Sequence, residues 1–95
     1  MKKKILNIEL SDNENIKTLT VKGELLRVLD VYSTISSMCV LAEVIPSENE
    51  QIHFLYEVKI GEDVPDNSTY IKSISMIDDI YSYYIDNTFY KNFDI

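Results

Sequence analysis

Residues 52–60 read Ile52-His53-Phe54-Leu55-Tyr56-Glu57-Val58-Lys59-Ile60. Apolar side chains recur at every second position, at Ile52, Phe54, Tyr56, Val58 and Ile60. His53, Glu57 and Lys59 occupy the alternate positions, with Leu55 the exception. Successive side chains of an extended chain point to opposite faces, so the stretch reads as a half-buried strand. On this count the even positions face the core and His53 faces solvent.

The same period of two continues in both directions. Leu6, Ile8 and Leu10 alternate with Asn7 and Glu9, and Leu19 and Val21 alternate with Thr18 and Thr20. Leu25–Tyr32 and Met38–Ile45 are apolar in part on both faces, as expected for strands covered on both sides. Tyr70–Met76 is a further strand. Ile80–Ile85 is another, with Tyr81, Tyr83 and Ile85 on one face and Ser82 and Tyr84 on the other. Polar or turn-forming groups separate these runs at Ser11–Asn15, Lys22-Gly23-Glu24, Ser33–Ser37, Pro46–Glu50 and Asp78-Asp79. The expected fold is all-β and mainly antiparallel: a six- to seven-stranded meander curled into a small barrel or folded as a sandwich. Leu25, Leu26, Leu29 and Tyr32 also match helical spacing, which leaves room for one short helix there.

The chain has 95 residues, which suits one domain. We expect that domain to span residues 1–86, with residues 87–95 as a C-terminal extension or docking tail. Cys39 is the only cysteine, so no internal disulfide forms, which fits a reducing compartment. Lys2, Lys3 and Lys4 are not followed by an apolar signal region, because Asn7 and Glu9 interrupt it. No apolar run approaches the ~18 residues of a membrane helix. The expected location is the cytoplasm, with no membrane partner.

Charge is unevenly spread. The net charge is −7: residues 1–42 carry five acids and six bases, and residues 43–95 carry eleven acids and three bases. A chain so poor in Lys and Arg argues against direct nucleic-acid binding, which depends on phosphate contacts. An acidic half fits a basic partner instead.

Signs of catalysis are sparse. His53 has no nucleophile or orienting group beside it in the sequence. Cys39 lies in the apolar run Met38-Cys39-Val40-Leu41-Ala42, the usual setting of an inert thiol. One cysteine and one histidine do not make a closed zinc site. Glu62, Asp63 and Asp66 lie in Gly61-Glu62-Asp63-Val64-Pro65-Asp66, which lacks the spacing of a calcium loop. We therefore expect no enzyme activity, no catalytic residue, no metal and no cofactor. The three acids and the aromatic residues Tyr84, Tyr90 and Phe93 are the candidate partner-binding residues. Tyrosine joins a large apolar body to a polar tip and suits interfaces. The same aromatics would serve a homodimer seam. A different class of function, capture of a nucleotide or signal molecule between subunits, would need Arg27 and Lys22 to line its pocket.

The order of these runs resembles a family of small proteins of unknown function found largely in bacteriophage genomes. In that family a strand pair precedes a Gly-x-x-hydrophobic-Pro loop and a Tyr-Ile strand. The matching positions are Gly61, Val64, Pro65, Tyr70 and Ile71, with Cys39 and Ala42 in the earlier strand. The resemblance covers residues 4–86 or so. The chain departs from it at Leu41, where the family has a tryptophan. It departs again at Tyr83-Tyr84-Ile85, where the family has a histidine-containing aromatic strand. The resemblance implies a context, that of a small phage or prophage accessory protein. Together with the missing catalytic set, the acidic half and the tyrosine-rich C-terminal segment lead us to expect a protein binder, for example an inhibitor of a host defence complex whose acidic surface occupies a basic nucleic-acid-handling protein in the host cytoplasm.

Overall fold

The computed structural model describes residues 2–11 and 16–87, and these form antiparallel strands with no helix among them. The strands are β1 (Lys4–Glu9), β2 (Ile16–Ser33), β3 (Met38–Lys59), β4 (Ser68–Ser75) and β5 (Ile80–Asp86). The expected all-β, antiparallel class is what forms; among the described residues there are five strands, and the expected six to seven are not confirmed.

Two strands are long because residues read as turns are passed through in extended form. β2 and β3 make one hairpin, closed at residues 34–37, where the Thr34 N–H donates to the Ser37 carbonyl at 2.7 Å. Pairing holds from Ile16 opposite Tyr56 to Lys22 opposite Glu50, then resumes at Gly23 opposite Pro46. Ser47, Glu48 and Asn49 bulge out between the two registers. Gly23 has φ 129°, and a Cβ there would lie 2.2 Å from the Ile45 carbonyl oxygen. The glycine therefore serves a close approach of two strands rather than a turn.

The helical spacing in Leu25–Tyr32 also has a strand explanation. The register shifts between Leu25 and Arg27 and again between Val28 and Asp30, so Leu26 and Leu29 are extra residues in bulges. One extra residue in every three moves the inward positions to Leu25, Val28 and Val31, a period of three within a strand. No helix forms there.

β2 lies along one edge of β3. The other edge is shared, with β1 pairing from Glu9 opposite Cys39 to Lys4 opposite Val44 and β5 pairing from Leu55 opposite Ile85 to Lys59 opposite Tyr81. β4 flanks β5 on its outer side. The sheet bends at Gly23 and the Ser47–Asn49 bulge, and its two halves enclose a single core. Leu25, Val31, Val40, Ala42 and Val44 come from one half, and Leu19, Val21, Leu55, Tyr83 and Ile85 from the other. Ser11 bridges to Thr18 at one side, and the Lys72 ammonium bonds Asp30 at 2.7 Å across the other, yet the sheet does not close into a barrel.

The face assignment of residues 52–60 is inverted relative to the sequence reading. His53 is buried at 4% exposure and Leu55 is fully buried, while Ile52 and Phe54 are 57% and 42% exposed. Register decides this. His53 lies opposite Leu19 and Gln51 opposite Val21, and paired residues share a face. Leu19 and Val21 are fully buried, so the odd positions of β3 go inward with them.

Candidate functional site

The site follows from that inversion. With the odd positions inside, the even positions of β3 form an apolar outer face: Ile52, Phe54, Tyr56, Val58 and Ile60. Val58 is buried, Tyr56 is half-buried and the other three are exposed. Neighbouring strands continue this face. Ile16, Tyr56, Tyr84 and Tyr70 are successive cross-strand partners from β2 through β3 and β5 to β4. The Tyr70 and Tyr84 rings meet edge to face with centroids 5.5 Å apart, a geometry favoured by the ring quadrupoles. The Tyr70 hydroxyl is 2.8 Å from Ser73 Oγ, which is in turn 2.7 Å from Ser82 Oγ. The row is thereby fixed at its β4 end by polar contacts.

The acidic loop borders this row. Gly61, at φ 92°, turns the chain back beside β3. The Glu62 N–H donates to the Lys59 carbonyl at 2.9 Å, and the Lys59 N–H donates to the Glu62 carboxylate at 2.8 Å. Glu62 and Asp63 come to line a groove of about 380 Å³ together with Ile16, Tyr56, Glu57, Val58 and Pro65. Asp66 is exposed further along the same loop, before Asn67 at φ 55° and the start of β4. The Ser68 hydroxyl donates to the Pro65 carbonyl at 2.6 Å and holds the loop exit.

The structure thus brings two of the predicted acids, Glu62 and Asp63, against the aromatic row that includes Tyr84. Asp66 does not line the groove. Tyr90 and Phe93 lie outside the described residues. The sequence reading missed Ile16, Ile52, Phe54, Tyr56 and Tyr70 as surface groups, because it placed the even positions of β3 in the core. The signal that could have found them is the strict Leu19/Val21 against Thr18/Thr20 alternation, once paired with β3.

Other polar contacts, some buried and some exposed, tie the strands together. The Tyr83 hydroxyl donates to the Glu57 carboxylate at 2.8 Å. Burial, then that carboxylate, push the phenol well above its ordinary range. Burial lowers the His53 imidazole below its usual value, and the charge of Asp86 opposes this. Lys59 pairs with Asp79 at 3.4 Å, and the bond and charge of that carboxylate raise the ammonium pKa. Bonding to Lys72 holds the Asp30 carboxyl below the usual range.

The features tied to other functions lie elsewhere. The Arg27 guanidinium pairs with Glu43 at 3.4 Å, and neither Arg27 nor Lys22 lines a described hollow. A second hollow of about 400 Å³ lies at the far end of the hairpin, lined by Lys17, Ser33, Thr34, Ser36, Ser37 and others. Its Lys17 is 5% exposed and already engaged. Cys39 is buried, with its Sγ 3.8 Å from Ser37 Oγ. Among the described residues no three His, Cys, Asp or Glu side chains gather as a metal site, and no helix is long and apolar enough to cross a membrane.

Comparison with protein-family models, with curated proteins and with solved structures finds no match.

Proposed function

We propose that this chain is a non-enzymatic protein-binding module whose contact surface is the outer face of β3 and its neighbours. The observation behind this reading is the apolar row Ile16–Tyr56–Tyr84–Tyr70, continued by Phe54 and Ile52 and edged by Glu62 and Asp63. Apolar side chains in regular alternation on the outside of a sheet mark a surface that a partner covers. An aromatic centre with a charged rim is the usual anatomy of such a surface. The matching partner carries an apolar centre flanked by Lys and Arg. A second copy of this chain fits less well, because symmetric pairing would bring two acidic rims to the same interface.

The phage resemblance supplies a setting for this reading. There the partner is a basic nucleic-acid-handling protein of the host cytoplasm, and the acidic rim occupies the surface that phosphates would otherwise use.

Affinity capture with immobilised full-length chain tests the reading. A retained basic protein is expected to be lost on Tyr84→Ala and on the double change Glu62→Lys, Asp63→Lys. It is expected to persist on Ile35→Ser, at the distant hairpin turn. Binding should also weaken with salt. Retention that ignores both the outer-face changes and salt would sink the proposal. Light scattering that gives a dimer dissociated by Tyr84→Ala would assign the face to self-association instead.

A further inference from the structure

The groove beside the acidic loop, about 380 Å³ in volume, is lined by two unlike sets of side chains. Ile16, Val58 and Pro65 supply aliphatic surface, and Tyr56 adds an aromatic ring. Glu57, Glu62 and Asp63 supply three carboxylates, and no basic residue is among the described residues that line it. Two of these carboxylates are held in place by the fold. Glu57 Oε2 accepts from the buried Tyr83 hydroxyl at 2.8 Å, and Glu62 Oε1 accepts from the Lys59 N–H at 2.8 Å. Each bond uses one oxygen, and a carboxylate has a second that also accepts. Among the described residues no base pairs with Glu57, Glu62 or Asp63; the Lys59 ammonium goes to Asp79 instead.

The chemistry of this lining narrows the occupant. Three carboxylates around one hollow call for a cation, yet they do not gather closely enough to hold a metal ion. The aliphatic lining calls for an apolar stem behind the charged head, which a long basic side chain has. Lysine and arginine differ in the head. The lysine ammonium is a compact point charge that serves one acceptor well. The arginine guanidinium is planar, carries five N–H donors that reach separated acceptors, and stacks on aromatic rings. A hollow that sets a tyrosine ring among spaced carboxylates suits the second.

We propose that the groove is a socket for one arginine side chain of the partner protein. The arginine stem packs on Ile16, Val58 and Pro65, and its guanidinium meets the Tyr56 ring and the carboxylates of Glu57, Glu62 and Asp63. The inference rests on the partner-binding reading and names the residue type that the partner places beside the aromatic row.

NMR titration of the full-length chain with the capped peptide acetyl-Gly-Arg-Gly-amide tests it without any partner protein. At low salt, saturable shifts are expected at the Tyr56, Val58, Glu62 and Asp63 amides, with none at Ile35 on the distant hairpin turn. The matching lysine peptide should bind about threefold or more weakly. The double change Glu62→Gln, Asp63→Asn keeps the acceptor for the Lys59 N–H and should weaken the arginine peptide about tenfold. Tyr56→Leu should bring the arginine and lysine affinities together. If either variant fails to fold, the comparison of the two peptides on the parent chain decides. Shifts that do not saturate, that spread to acids outside the groove such as Asp66 and Asp78, or that are equal for the two peptides overturn the socket. A basic protein captured by a chain whose groove ignores the arginine peptide overturns the socket alone. Selective arginine binding with no protein captured supports the socket and sinks the partner-binding reading.

Discussion

The two glycines make a controlled pair. Both lie at positive φ, 129° at Gly23 and 92° at Gly61, but their surroundings differ. A Cβ at Gly61 meets nothing within 4 Å, whereas at Gly23 it meets the Ile45 carbonyl oxygen at 2.2 Å and the Pro46 Cα at 2.8 Å. Gly61→Ala therefore adds backbone strain alone, of about 1–2 kcal/mol. Gly23→Ala adds similar strain and a collision with backbone that no side-chain rotation relieves. Relief requires β2 and β3 to part at the bend, with the loss of one or two ladder hydrogen bonds at about 1 kcal/mol each. The total for Gly23→Ala is about 2–4 kcal/mol, a large share of the ~5–15 kcal/mol that holds a small domain together. Urea titration followed by circular dichroism measures both. The expected order is a modest fall in midpoint for Gly61→Ala and a severe one for Gly23→Ala. Equal effects, or a Gly23→Ala cost below about 1 kcal/mol, would refute the close-approach account.

Other perturbations read different parts of the molecule. Tyr83→Phe removes the donor to the Glu57 carboxylate while keeping the ring, and should cost about 1.5–3 kcal/mol by the same titration. His53 is held below its ordinary value of 6.5 in the fold, so the unfolded chain takes up the proton first. The stability from a neutral His53 is complete above that value and is lost as pH falls below it. The urea midpoint should drop as pH falls below the ordinary imidazole value of 6.5, and His53→Gln should flatten that drop. Lys72→Met breaks the ion pair from β4 to Asp30, which is more than a third exposed on both sides, and should cost less than about 1 kcal/mol. Phe54→Ser, on the outer face, should leave the midpoint within about 1 kcal/mol of the parent yet weaken partner capture.

The fold class was legible because a period of two runs through most of the chain, and local alternation needs no knowledge of partners. Strand number was less so. Lys22-Gly23-Glu24 and Pro46–Glu50 have turn composition, and only the pairing on either side reveals that the strands pass through them. Leu26 and Leu29 imitated helical spacing because each is an extra residue in a bulge. Tyr83 and Ile85 were correctly placed on one shared face, which proves to be the buried one, since β5 carries no bulge and its alternation is undisturbed. For the site, Glu62 and Asp63 stood out as loop acids. Their apolar neighbours did not, because the outer face of β3 is as hydrophobic as a core face. Composition alone does not say which side of such a strand is covered by the chain itself.

The Ser47–Asn49 bulge has a further consequence for how this chain tolerates change. Before it, even positions of β3 such as Val40, Ala42 and Val44 face inward; after it, odd positions such as His53 and Leu55 do. The number of residues in the bulge therefore acts as a parity setting for everything downstream in β3. Removing two of them keeps Leu55 in the core. Removing one turns the second half of β3 over, so that Phe54 and Tyr56 enter the core and His53 meets water. A one-residue deletion in this segment is therefore expected to cost far more stability than a two-residue one, although its side chains are polar and exposed.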